Sequence, residues 1–331
     1  MRNMDTIEEM TAGVLSGDRA VLGRALTLIE SNRVDHRRRA NELLTALLPF
    51  SGTAHRIGIT GVPGVGKSTF IEAFGMRMIE QGHRVAVLTV DPSSSVSKGS
   101  ILGDKTRMEE LSRSADAFIR PSPAGGSLGG VARKTRESIV VCEAAGFDMV
   151  LVETVGVGQS EVAVADMVDF FLVLKLSGAG DELQGIKRGI LELADLIAIN
   201  KADGDNRAAA ERARAEFESA LHILRPAGED QWAPKVVTSS AVTGAGLDEI
   251  HDMIVEHRQL MDGNGQLEAT RRGQALLWMW SLVDQGVRAA VHEHPEVKRR
   301  IEDLERGVVD GTISATAAAE EILEAFGIGD P

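Results

Sequence analysis

The chain has 331 residues, too many for one small core and few enough for one large domain with extensions. It is 43% hydrophobic and 26% charged, an ordinary globular balance. Its net charge of −13 argues against nucleic acids and anionic membrane surfaces as partners.

Residues 1–53 read as an N-terminal helical extension. Leu22, Ala25, Leu26 and Ile29 recur at helical spacing, followed by Leu43, Leu44, Leu47 and Leu48. The basic run His36-Arg37-Arg38-Arg39 falls within this pattern and reads as a solvated helix face. The N-terminus has no apolar signal core, and Asp5, Glu8 and Glu9 come too early for a transit peptide. A cytoplasmic protein is expected. Pro49 to Thr53 reads as a linker.

Residues 54–258 alternate strand and helix. Expected strands are Ile57–Thr60, Val85–Val90, Ala117–Arg120, Met149–Glu153, Phe170–Leu176, Leu196–Asn200 and Val236–Ser239. Expected helices include Thr69–Gln81, Gly130–Ala145, Leu183–Ala194, Arg207–Leu224 and Leu247–His257. Such alternation implies an α/β fold with a doubly wound, mostly parallel sheet, and ligands bound beyond the carboxyl ends of its strands. Cys142, the only cysteine, sits in an apolar helical run and reads as core.

The first strand leads into Gly61-Val62-Pro63-Gly64-Val65-Gly66-Lys67-Ser68, followed by Thr69. This is the strand–loop–helix pattern that binds phosphates. The helix N-terminus supplies unpaired N–H groups, and glycines let the backbone wrap the anion. Lys67 is expected to reach the β- and γ-phosphates and Ser68 to bind Mg²⁺.

Further strand ends and a loop carry polar motifs. Asp91 follows the second strand, and Asp104 lies in Gly103-Asp104-Lys105-Thr106-Arg107. Each is a candidate Mg²⁺ ligand or water-positioning group. The fourth strand ends in Glu153-Thr154-Val155-Gly156, where Glu153 can support Mg²⁺ and the Gly156 N–H can contact the γ-phosphate. Val157 follows, and an apolar side chain cannot orient water, so slow intrinsic hydrolysis is expected unless Asp91, Asp104, Gln159 or Lys187 serves. Two Gly-rich loops, from Pro123 and from Ser177, read as switch-like.

The sixth strand ends in Asn200-Lys201-Ala202-Asp203. A carboxylate at Asp203 accepts from guanine N1–H and the exocyclic amine, a donor pair that adenine lacks. Asn200 can bond the base and support the loop, and the Lys201 stem can cover the ring. Ser239-Ser240-Ala241 ends the last strand and can offer a backbone N–H to guanine O6. Helix capping is the alternative use of Asn200 and Asp203. Together these motifs predict a P-loop GTPase binding GTP, GDP and Mg²⁺. A P-loop kinase acting on a small molecule or protein is the alternative.

Residues 259–331 read as a C-terminal helical arm. Leu276, Leu277, Trp280, Val283, Val287 and Val291 form an apolar stripe, which Pro295 interrupts. A homodimer that buries this stripe is expected.

The motifs Val90-Asp91-Pro92-Ser93-Ser94, Gly103 to Met108, Val152 to Glu161 and Asn200 to Asp203, with the phosphate loop, resemble those of the MeaB family. That family includes ArgK and the human methylmalonic aciduria type A protein. The resemblance implies a homodimeric GTPase that binds methylmalonyl-CoA mutase, an adenosylcobalamin enzyme, and that gates its cofactor loading and protects or rescues it. It assigns nucleotide and Mg²⁺ roles to Lys67, Ser68, Asp91, Asp104, Glu153, Asn200 and Asp203. It places Lys187 in a further switch loop and dimerisation in the C-terminal helices.

Overall fold

The structure is a computed structural model that describes residues 6–90, 108–121, 128–154, 160–178, 188–224 and 231–328. It divides into two compact units, Met1–Glu268 and Ala269–Pro331.

The first unit is built on seven parallel strands: β1 (His55–Gly61), β2 (Val85–Val90), β3 (Ala117–Arg120), β4 (Met149–Thr154), β5 (Phe170–Leu176), β6 (Leu196–Asn200) and β7 (Lys235–Thr238). Their order is β3-β2-β4-β1-β5-β6-β7. All seven expected strands are present, with ends shifted by two residues at most. β1 pairs with β4 on one side and β5 on the other, so the order reverses around it and a crevice opens at its carboxyl end.

Alternate residues of the strands feed two separate cores, as a period of two requires when both faces are covered. Ile57, Ile59, Val87, Leu151 and Leu172 pack against Phe70, Phe74 and Met78 of the helix Lys67–Glu80. Ala86, Leu88, Val150, Val152 and Val173 face the helix Leu128–Ala144 and the N-terminal helices Ile7–Leu15, Arg19–Glu30 and Val34–Leu47.

The N-terminal helices are therefore part of this unit's core. Leu22, Leu26, Ile29, Leu43 and Leu47 are fully buried in it. Arg120 at the end of β3 pairs with Glu30 of the second helix. The expected linker is tied down as well. Residues 48–50 form a 3₁₀ turn, and the Gly52 N–H donates to Glu143 Oε2 at 2.6 Å. Glu143 also takes two hydrogen bonds from Arg56, at 2.8 and 2.9 Å, which compensates its complete burial. Cys142 is buried beside it, and burial pushes its thiol up to about 12, consistent with a core residue.

At the amino-terminal edge of the sheet, His257 of the helix Leu247–Gly263 is 3% exposed. Phe170 and Trp232 meet its ring edge-on, each with centroids 5.1 Å away. Burial depresses its pKa to about 4, helped by His55 and Arg258 and opposed by Asp169. His55 and His251 are lowered too, first by burial. These imidazoles bind fewer protons folded than unfolded. Their contribution is complete above about pH 6.5 and is lost as pH falls through each lowered pKa, which for His257 lies at about 4. For His257 alone the loss should total about 3 kcal/mol. Urea midpoints measured from pH 7.5 to 4.5 should fall, and His257→Phe should remove about one proton from that dependence. An unchanged slope would mean that His257 is not the group responsible.

The second unit holds most of the 28-residue helix Gln266–Glu293, then Pro295–Val309 and Ala315–Phe326. Pro295 occupies the first turn of its helix, where a missing N–H costs nothing. Gly307 lets the chain return closely, since a Cβ there would lie 2.9 Å from Ile313 Cδ1. Leu276, Leu277, Trp280, Val283 and Val287 are exposed, Trp280 by 60%. No described helix is long and apolar enough to cross a membrane.

Candidate functional site

Gly61 to Gly66 turn from β1 into the helix Lys67–Glu80. Gly66 takes φ +96° at the helix start, and a Cβ on it would lie 3.1 Å from Asn200 Nδ2. The left-handed φ favours glycine there, and a Cβ would also crowd the Asn200 amide. Lys67 is 8% exposed and folds back over the loop, donating from Nζ to the carbonyls of Gly61 at 2.7 Å and Val62 at 3.3 Å. Burial lowers its pKa, and the carboxylates of Glu153 and Glu161 oppose that shift. Ser68 Oγ, one residue on, donates to Glu153 Oε1 at 3.2 Å. β4 delivers Glu153 here because it runs parallel to β1, with Glu153 in register with Ile59.

The second half of the site lies at the ends of β6 and β7. Asn200 is 2% exposed and donates from Nδ2 to the Val65 carbonyl at 2.9 Å. Ser239 Oγ donates to Asn200 Oδ1 at 3.4 Å. Lys201 extends the same way, its Nζ donating to Gly64 O at 2.9 Å. Its φ of +58° makes it the sole described non-glycine residue in the left-handed region. Such backbone strain costs on the order of 1 kcal/mol and persists where surrounding bonds enforce it. Here the Ala202 N–H donates to Ser239 O at 2.9 Å, locking the two loops together.

Asp203 precedes a short 3₁₀ turn, Gly204–Asn206, without capping it. Its carboxylate instead accepts a hydrogen bond from Ser240 Oγ. Ser240 is fully buried, and Ala241 follows it half-buried in the next turn. The capping alternative for Asp203 is thus not the geometry observed.

The fold brings Gly61, Val62, Gly64, Val65, Gly66, Lys67, Ser68, Thr69, Glu153, Asn200, Lys201, Asp203, Ser239, Ser240 and Ala241 to one edge of the sheet. Asp91, Asp104, Gly156, Gln159 and Lys187 lie outside the described residues. One buried group escaped the sequence reading of the site. Glu161 is 6% exposed, and its Oε2 has no hydrogen-bond partner among the described residues. It stands in the quoted motif, but nothing in the spacing shows that its side chain turns inward.

The cluster combines a cation and a glycine-rich helix start at one strand end with a carboxylate held by a hydroxyl two strands away. The first suits a polyphosphate and the second a base edge with adjacent donors.

A chain 48% identical over 330 residues is the mouse methylmalonic aciduria type A homolog, mitochondrial; the match covers 97% of this chain and 79% of that one. GTPase ArgK of Escherichia coli is 46% identical, covering 98% of both chains. The crystal structure of a LAO/AO transport system kinase superposes with a TM-score of 0.77 at 39% identity, again covering 98% of both. The family described as Methylmalonyl Co-A mutase-associated GTPase MeaB matches residues 22–296. By that match and these identities, the chain belongs to the MeaB family of GTPases.

Proposed function

We propose that the protein is a Mg²⁺-dependent GTPase that acts as a switch and chaperone for methylmalonyl-CoA mutase, gating cofactor loading and protecting or reactivating that adenosylcobalamin enzyme. The observation that carries the nucleotide reading is the join between the two ends of the site. Asn200 and Lys201, beside the base-reading Asp203, hold the Val65 and Gly64 carbonyls of the phosphate loop. A ligand that spans both must carry a phosphate tail and a purine edge.

In this reading Lys67 turns from the Gly61 and Val62 carbonyls to the β- and γ-phosphates. Asp203, oriented by Ser240, accepts from guanine N1–H and the 2-amino group, and the Ala241 N–H meets O6. Ser68 and Glu153 offer hard oxygen donors that suit Mg²⁺, with Asp91 and Asp104 as further ligands or water-positioning groups. The metal, when bound, neutralises charge that develops on the β- and γ-phosphate oxygens. The Gly156 N–H senses the γ-phosphate, and Lys187 offsets its developing charge. Val157 cannot orient water, so the basal rate is slow and the partner supplies or arranges what is missing.

The mutase as partner rests on the family's description and on the methylmalonic aciduria relatives. A homodimer rests on the exposed Leu276–Val287 stripe, since contiguous apolar surface of this kind marks an interface. One preparation tests both. Light scattering should give twice the chain mass. GTP turnover should rise at least tenfold when a matched, purified mutase is added, with ATP as a control. Failure of the mutase to bind or to accelerate turnover would remove the partner assignment, and a monomeric mass would remove the dimer.

A further inference from the structure

Glu161 lies in the helix Ser160–Ala165, which returns from the carboxyl end of β4 across β1. Three residues later, Val164 packs where Gly58 of β1 leaves room, since a Cβ on Gly58 would lie 2.9 Å from Val164 Cγ1. Residues three apart share a helix face, and residues two apart share a strand face. Glu161, three residues before Val164, therefore shares the helix face turned to β1, at the helix end that follows the carboxyl end of β4. Thr60 of β1 is satisfied, because Thr154 Oγ1 donates to its hydroxyl at 2.8 Å.

One oxygen of the Glu161 carboxylate has no such partner. Its Oε2 is buried and unpaired among the described residues, although the side chain is 94% buried. An unpaired buried carboxylate oxygen is costly, so the site must complete it when ligand arrives. Lys67 feels the charge of both Glu153 and Glu161, so one cation faces two carboxylates. A carboxylate next to the phosphate groove cannot pair with phosphate oxygens. It needs a donor, and among the described residues Lys67 is the cation that feels both carboxylates. Water held by a divalent cation meets both requirements.

Resting on the Mg²⁺–guanine-nucleotide reading above, we propose that Glu161 accepts a hydrogen bond from a water on the nucleotide-bound Mg²⁺. It is a positioning residue that sets how strongly the metal tightens nucleotide binding. Loss of an outer-shell partner of this kind typically costs 10–100-fold in metal affinity.

The test is calorimetric titration of the full chain with GDP, once in excess Mg²⁺ and once in EDTA. The ratio of the two affinities is the gain due to the metal. In Glu161→Ala this gain should fall about tenfold, while affinity in EDTA stays within about twofold of wild type. Glu161→Gln keeps an acceptor oxygen and should recover part of the gain. A gain in Glu161→Ala equal to wild type would overturn the proposal. So would an equal loss in both media, the signature of a packing role alone. The underlying reading fails separately, if wild type itself binds no GDP in either medium.

Discussion

Replacing Lys67 with alanine should lower GTP turnover on the order of a thousandfold. The size follows from what the ammonium does in two states. Without nucleotide it is already anchored over the loop by the Gly61 and Val62 carbonyls, so little order has to be created when phosphate arrives. With nucleotide it supplies charge-assisted donors, each contributing about 1.5–3 kcal/mol, to oxygens whose charge grows along the reaction. At 8% exposure its ammonium acts where bulk water screens it little. The change also strips the compensating cation from Glu153 and Glu161. Some loss of melting temperature should therefore accompany the loss of turnover. Single-turnover phosphate release, with a melting curve as control, measures both. Turnover within tenfold of wild type in a folded Lys67→Ala protein would mean that another group holds the terminal phosphate.

How far this site can be read from the chain depends on which physical property each residue expresses. The strands were legible because continuous apolar runs such as Phe170–Leu174 are what a sheet covered on both faces demands. The phosphate loop was legible because spacing itself is its chemistry, as it is for Asn200 and Asp203. What spacing does not express is tertiary closure. The stripe through Leu22, Leu26 and Ile29 shows that a face is buried, but not that it shares a core with β2 and β4. Pro49 to Thr53 has linker composition, yet Gly52 is clamped by a carboxylate 91 residues away. The left-handed φ of Lys201 has no composition signal, because only the bonds of neighbouring loops enforce it. Glu161 in the first turn of a helix reads equally well as a solvated acid, and only its burial says otherwise.

Asp203→Asn should shift base preference from guanine to xanthine. A carboxylate offers acceptors to both N1–H and the 2-amino group of guanine. The asparagine amide retains one acceptor and turns its NH₂ towards a donor, so one charge-assisted bond is lost and a donor–donor contact is added. At about 1.5–3 kcal/mol for the bond, plus the unsatisfied donors, GTP affinity should fall on the order of a hundredfold or more. Xanthine has a carbonyl where guanine has the amine, so the same amide finds a partner at each position. Ser240 does not stand in the way, since its hydroxyl now donates to Asp203 and has acceptor capacity for an amide as well. The loop should remain in place, because Asn200 and Lys201 hold it to Val65 and Gly64 independently of the changed residue. Competition between GTP and xanthosine triphosphate for one fluorescent guanine nucleotide gives the ratio directly. If that ratio stays at its wild-type value in Asp203→Asn, the base edge is inspected by a different loop and the placement of guanine beside Ser240 is wrong.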